Sequence, residues 1–324
     1  MQETRKPSDA RRALLEKYLR GELSQKAAGV ITRDVQPTAS QQTPASRAPL
    51  IPIQTGGSRR PFFYFHPHWQ GGAFYCFALA RDLGPDQPFY LLEPYRFADL
   101  AAPPTIEEMA TAYIQSLRTV QPHGPYLLGG FCGAGLFAYE VARQLQEAGE
   151  GVDLLVLIDP MAGPIRTIRQ LGQLIRRVGN ALRFGPDRQL DWFLRLRYIE
   201  RALRGARDEY TQHVEKLLRC WQEEHPQRFA LLPAAGALRQ DWFGPFIWAV
   251  SGYQPRQYQG KITYLFAREN PDGRKLWWGE VSEDEQAEFH FIPGTHETCR
   301  TEHLHTLAEQ LRVCLDEVQH ISLG

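Results

Sequence analysis

Two hydrophobic patterns alternate along most of the chain. Short unbroken apolar runs bounded by Gly or Pro occur at Pro61-Phe-Phe-Tyr-Phe-His66, Gln87-Pro-Phe-Tyr-Leu-Leu92, Pro125-Tyr-Leu-Leu-Gly-Gly-Phe131, Asp153-Leu-Leu-Val-Leu-Ile-Asp159, Lys261-Ile-Thr-Tyr-Leu-Phe-Ala267 and Glu288-Phe-His-Phe-Ile292. All read as strands, and the first two suit strands buried on both faces. Between them, apolar residues recur at helical spacing. Phe74 to Asp82 reads as a helix, and Ile106, Met109, Ala110, Tyr113, Leu117 and Val120 follow the capping box Thr105-Ile-Glu-Glu108. Further helices are expected after Cys132 to about Glu147, and from about Glu302, where Leu304, Leu307, Leu311, Leu315 and Val318 share a face. Strands alternating with helices of this length predict an α/β fold: a mostly parallel sheet covered by helices on both faces.

The alternation is interrupted twice. Residues 1–49 predict an amphipathic helix (Leu14, Leu15, Tyr18 and Leu19 behind a Ser8 cap) and then a linker rich in Thr, Gln, Ser, Ala and Pro. That linker has too little apolar surface to offset chain entropy. The main domain is expected over 50–324. Within it, residues 163–248 lose the strand pattern and read as a helical lid rich in arginine. Most of those arginines fit a solvated helical face, whereas Arg195, Arg197 and Arg201 are candidates for contact with an acidic partner.

Composition narrows the setting. The 324 residues carry 37 basic and 37 acidic side chains, so no bulk attraction to nucleic acid or to an anionic membrane is expected. The five cysteines (76, 132, 220, 299, 314) are scattered without metal or disulfide spacing. A reducing compartment fits them, and with no apolar stretch of spanning length the expected location is cytoplasmic.

The candidate chemistry sits where the third of these runs meets its helix. Gly130-Phe131-Cys132-Gly133-Ala134-Gly135 has the small residues that a sharp strand-to-helix turn needs around an exposed nucleophile. A free cysteine in a glycine-rich turn can also be an inert core residue. A nucleophilic Cys132 requires a base and an acid to orient that base, expected at the ends of later strands. His296, in Pro293-Gly-Thr-His296, is the candidate base, with His290, His303 and His305 less well placed. Asp159 is the candidate acid, with Glu269 and Asp272 as competitors. An oxyanion would be met by the backbone of Gly133 and by that of His68, or alternatively Trp69, in the loop after the first run. No metal site is expected, because those loop histidines have no third ligand at a recognisable spacing.

Several motifs in order carry a resemblance. Leu50-Ile-Pro-Ile-Gln-Thr-Gly-Gly, His66-Pro67 with Gly71-Gly72, Leu127-Leu-Gly-Gly-Phe-Cys-Gly-Ala-Gly with Ala138-Tyr139-Glu140, Leu157-Ile-Asp159, Tyr253, Gly260-Lys261-Ile262 and Pro293-Gly-Thr-His296 resemble the release thioesterases that end non-ribosomal peptide and polyketide synthases. The resemblance covers about residues 50 to 320. It implies an α/β-hydrolase fold with a helical lid, no bound cofactor, and an acyl or peptidyl chain delivered as a thioester on the phosphopantetheine arm of a carrier protein. That carrier would act in trans or from an upstream module. The departures are cysteine at the usual serine position and Ala134. Sulfur would keep the acyl-enzyme a thioester, which favours release by cyclisation or transfer to a nucleophile. Simple hydrolysis, acyl transfer to a separate acceptor, and a silent carrier-docking module are the alternatives.

Overall fold

The computed structural model describes residues 47–66, 73–96, 100–161, 165–206, 209–225, 232–270 and 287–320. Of the N-terminal helix and linker expected over 1–49, residues 1–46 therefore lie outside the described residues, as do His68, Trp69 and Asp272.

The strands are β1 (Leu50–Gln54), β2 (Phe62–Phe65), β3 (Phe89–Leu92), β4 (Tyr126–Phe131), β5 (Val152–Ile158), β6 (Ile262–Ala267) and β7 (Ala287–Ile292), in one sheet of order β1-β3-β2-β4-β5-β6-β7. All neighbours are parallel except β1, which pairs antiparallel with β3. Period-2 alternation did not mark β1, because Pro52 interrupts it; an edge strand tolerates a proline whose missing N–H would face outward. From β2 the chain moves one way to β3, then crosses to β4 on the other side. The topological switch point thus falls between β2 and β4, beside Cys132.

Side chains of the inner strands alternate between two apolar layers. Phe62, Tyr64, Leu127, Val156, Ile158 and Leu265 pack with α1 (Phe74–Leu83) and α9 (Leu304–His320). Phe63, Phe65, Leu128, Leu155 and Leu157 pack on the opposite face with α2 (Ile106–Arg118) and α3 (Gly135–Glu147). The capping box starts α2: the Thr105 amide donates to Glu108 Oε2 at 2.8 Å and the Glu108 amide to Thr105 Oγ1 at 3.2 Å. With both faces covered, apolar runs are the pattern the inner strands need, whereas the edge strand β7 leaves Phe289 and Phe291 exposed.

Between β5 and β6 run α4 (Ile165–Ala181), α5 (Pro186–Leu203), α6 (Glu209–Glu224), the short α7 (Ala235–Leu238) and α8 (Phe243–Gly252). Helix α4 crosses α8 closely, since a Cβ on Gly172 would lie 2.2 Å from Ser251 Oγ. Arg176 ties the two together by donating to Ser251 Oγ and the Trp248 carbonyl, each at 2.9 Å. Beyond α8, Tyr253 donates to the buried Glu140 of α3 at 2.8 Å. Glu140 also accepts from Arg143 through both oxygens, at 2.8 and 2.7 Å. Burial would raise this carboxyl, but the bonds from Arg143, Gln144 and Tyr253 outweigh it and hold it below its ordinary range. The helical segment thereby returns to the sheet through a fixed polar joint with the helix that follows Cys132.

Candidate active site

Cys132 follows the last residue of β4 and opens a 3-10 turn, Cys132–Ala134, that runs directly into α3. Its φ is 51°, a left-handed conformation that a residue with a Cβ adopts at a cost of about 1–3 kcal/mol. The small neighbours make the turn feasible. A Cβ on Gly130 would fall 2.7 Å from Gly135 Cα and 2.9 Å from its nitrogen, so strand and helix meet backbone to backbone. At Gly133 the nearest neighbour of an added Cβ would be the Phe246 ring of α8, at 3.2 Å. The N-terminal end of α3 favours negative charge beside the cysteine.

Asp159 lies one residue beyond β5, also at positive φ, 39°. The neighbouring strand holds it from two sides, since its amide donates to the Leu265 carbonyl at 2.8 Å and its Oδ1 accepts from the Ala267 amide at 3.1 Å. The remaining oxygen, Oδ2, accepts from Asn270 Nδ2 at 2.8 Å and is hydrogen-bonded to His296 Nδ1. Asn270 carried no sequence signal, because only the β6 turn brings it there.

His296 stands on the loop after β7. Gly294, at φ 88°, turns the chain; an added Cβ there would be 2.3 Å from Thr298 Oγ1. Reciprocal bonds between Thr295 and Thr298 fix the loop at 2.7 and 3.2 Å. The imidazole stacks on Phe131, with ring centroids 4.8 Å apart and planes at 28°. The Cys132 side chain lies beside the imidazole. Burial would lower the imidazole pKa, but the negative charge of Cys132 and the hydrogen bond that Nδ1 donates to Asp159 prevail and push it up to about 10. The Asp159 side chain is 0 % exposed and that of His296 32 %, so the row runs from the interior towards solvent.

Structure thus brings Cys132, His296 and Asp159 together. Glu269 is exposed, its amide bonded to the Gly294 carbonyl. His290 pairs with Glu288 at 3.3 Å, and His305 lies near Asp82 and Glu309. The Gly133 amide lies at the head of the turn beside the sulfur, where the first N–H groups have no intrahelical acceptor. Of the arginines expected at a partner surface, Arg197 is buried, whereas Arg195 and Arg201 are partly exposed. Arg195 donates to the Pro233 carbonyl, Arg197 to Tyr210 Oη and Arg201 to Thr211 Oγ1, each at 3.0 Å. At 7 % exposure, Arg197 has no surface to offer, because its guanidinium packs against the rings of Tyr210 and Phe243.

A parallel sheet with a left-handed cysteine after its switch-point strand, and with an acid and a histidine at later strand ends, defines an α/β-hydrolase fold. The thioesterase domain family model matches residues 60–314, and the chain belongs to that family. It is 41% identical over 112 residues to the dimodular nonribosomal peptide synthase of Bacillus subtilis (strain 168), a match covering 34% of this chain and 5% of the relative. To polyketide synthase PksR of the same organism it is 38% identical over 132 residues, covering 40% of this chain and 5% of the relative. The chain therefore spans only a small part of the length of these curated relatives. Among solved structures, the fold is similar to the NocB thioesterase domain in covalent complex with a fluorophosphonate nocardicin G analog, with a TM-score of 0.51 and 23% identity, covering 82% of this chain and 99% of that one. No helix among the described residues is long and apolar enough to cross a membrane.

Proposed function

We propose that this thioesterase-family domain takes an acyl or peptidyl chain from the phosphopantetheine thioester of a carrier protein onto Cys132 and releases it to a nucleophile. The observation that carries this reading is the placement of Cys132 at a positive-φ turn beside His296, whose Nδ1 is hydrogen-bonded to the buried Asp159.

Cys132 Sγ, as thiolate, attacks the thioester carbonyl, and the resulting oxyanion is met by the Gly133 amide. The carbon–sulfur bond to pantetheine breaks, and the departing thiolate takes the proton of His296. That leaves an acyl-Cys132 thioester and a neutral imidazole. A hydroxyl, amine or water then gives its proton to His296 Nε2 as its heteroatom attacks the acyl carbon, and the Cys132 thiolate leaves. Asp159, held by β6 and Asn270, keeps Nδ1 occupied so that Nε2 does the exchange. Because thioester is exchanged for thioester, the intermediate stays activated, which suits cyclisation or transfer to an amine or hydroxyl.

The carrier meets the outer face of α4. Leu174, Val178 and Leu182 are exposed there beside Arg177 and Arg183, which have no ion-paired acid among the described residues. An acidic carrier surface with apolar side chains complements that face.

Intact-mass measurement after exposure to an acyl-pantetheine thioester tests the assignment. The acyl increment is expected on Cys132, and a protein that gains no mass is a silent docking module. Cys132→Ser sharpens it. The variant should acylate, then stall or divert to hydrolysis, and wild-type product at the wild-type rate would return the reading to hydrolytic release.

A further inference from the structure

Arg300 is a buried cation that the chemistry above leaves without a task. It ends the 3-10 turn Thr298–Arg300 just after the His296 loop and is 8 % exposed. Its guanidinium carbon lies 5.4 Å from the centroid of the Phe131 ring and 5.6 Å from that of Tyr75. Phe131 immediately precedes Cys132 in the chain, and its ring is the one on which His296 rests. The ion partner of Arg300 is Glu297, whose side chain is 56 % exposed and so is screened by water.

Among the described residues, the tyrosines and cysteines packed around the guanidinium keep their protons. Burial pushes Tyr64 of β2 and Tyr75 of α1 well above their ordinary range. It likewise pushes up Cys76 of α1, and raises Cys299 on the turn to about 12. His66, at the end of β2, hydrogen-bonds Tyr75 at 3.2 Å. Among the described residues, the anions left in this field are Asp159 at the end of β5, exposed Glu297, and Cys132 once it ionises. An arginine does not lose its charge by deprotonating.

We infer that Arg300 is a positioning residue for the nucleophile, a fixed charge set behind Phe131 that favours the Cys132 thiolate, with Glu297 as its partial counterweight. The inference rests on Cys132 being the nucleophile. While His296 carries its proton, ionising the cysteine adds one net negative charge to a poorly solvated site. A nearby fixed cation offsets that charge, whichever side of the imidazole it faces. A serine at position 132 would stay neutral at rest and gain nothing from it.

The test is the pH dependence of iodoacetamide alkylation of Cys132 in the full chain. Peptide mass spectrometry assigns the label, so that exposed Cys220 is not counted. Arg300→Met should move the alkylation midpoint to higher pH and slow alkylation below it about threefold or more, while Arg300→Lys stays near wild type. Glu297→Gln should move the midpoint to lower pH. A purely structural ion pair would not shift the two variants in opposite directions. An unmoved midpoint in folded Arg300→Met, or an upward or absent shift in Glu297→Gln, overturns the inference. Should Arg300→Met fail to fold by circular dichroism, Glu297→Gln decides alone. The readout needs no turnover. An active Cys132→Ala would overturn the nucleophile assignment separately.

Discussion

The strand ends and the helical segment between β5 and β6 are built on different physics. At the strand ends, position is set by backbone: Cys132 and Asp159 sit at φ 51° and 39°, each locked by a neighbouring strand or helix. In the helical segment, position is set by side chains. Arg176 reaches Trp248 and Ser251, Arg197 reaches Tyr210, and Tyr210 passes the contact on to Asp241 at 3.1 Å. Backbone ladders fix atoms closely enough for proton transfer, whereas long side chains can repack while keeping their bonds. On the proposed function, chemistry belongs to the first region, and shape and partner contact to the second.

Cys132→Ala makes the comparison sharpest. Acyl release should fall by at least about 10³-fold with folding intact, because the other cysteine near the site, Cys299, is buried and donates to the His296 carbonyl. Wild-type turnover by this variant would end the distinction. Asp159→Asn should cost on the order of 10²-fold in kcat, and Asn270→Ala only a few-fold, since Asn270 supplies one of three bonds to the carboxylate. Equal losses would shift the orienting role towards Asn270.

Stability separates the regions in another way. Gly130→Ala places a methyl against backbone that cannot yield, so urea denaturation should show a loss of about 1–3 kcal/mol together with lower kcat. Arg197→Met should cost a similar amount of stability yet leave the rate of acyl-enzyme formation from a small pantetheine thioester unchanged. A large kinetic effect at Arg197 would mean that the helical segment shapes the reacting centre directly.

The His296 ring offers a pH test. Its folded-state value, about 10, exceeds the ordinary histidine value, so its share of stability is complete below about pH 6.5 and is lost as pH rises through 10. In Cys132→Ala the neighbouring charge is gone, and the NMR titration of the ring should move to lower pH. An unmoved titration would remove the cysteine from the list of causes. The smallest effect is expected on α4. Arg177→Glu with Arg183→Glu should raise KM for carrier-borne substrate about three- to tenfold at low salt, the difference shrinking at high salt. Small pantetheine substrates should show no change.

The chain itself determined the parallel sheet, since runs such as Leu154 to Ile158 have no polar face and must be covered on both sides. It also determined the elbow, since Gly130, Gly133 and Ala134 leave room for little besides a tight turn around Cys132. The Gly-Thr-His sequence after a late strand pointed to His296 in the same way. Tertiary structure alone decided which acid meets the histidine, because Asp159 and Glu269 both follow strands and differ only in where the β5–β6 pairing aims them. It alone turned Arg197 inward and left Arg177 on the surface. Charge composition records how many arginines a segment holds, while their direction depends on helix phase and on neighbours far along the chain. The Arg300–Phe131–His296 stack was beyond sequence reading for that reason: it joins two separate segments through contacts that exist only once the sheet has formed.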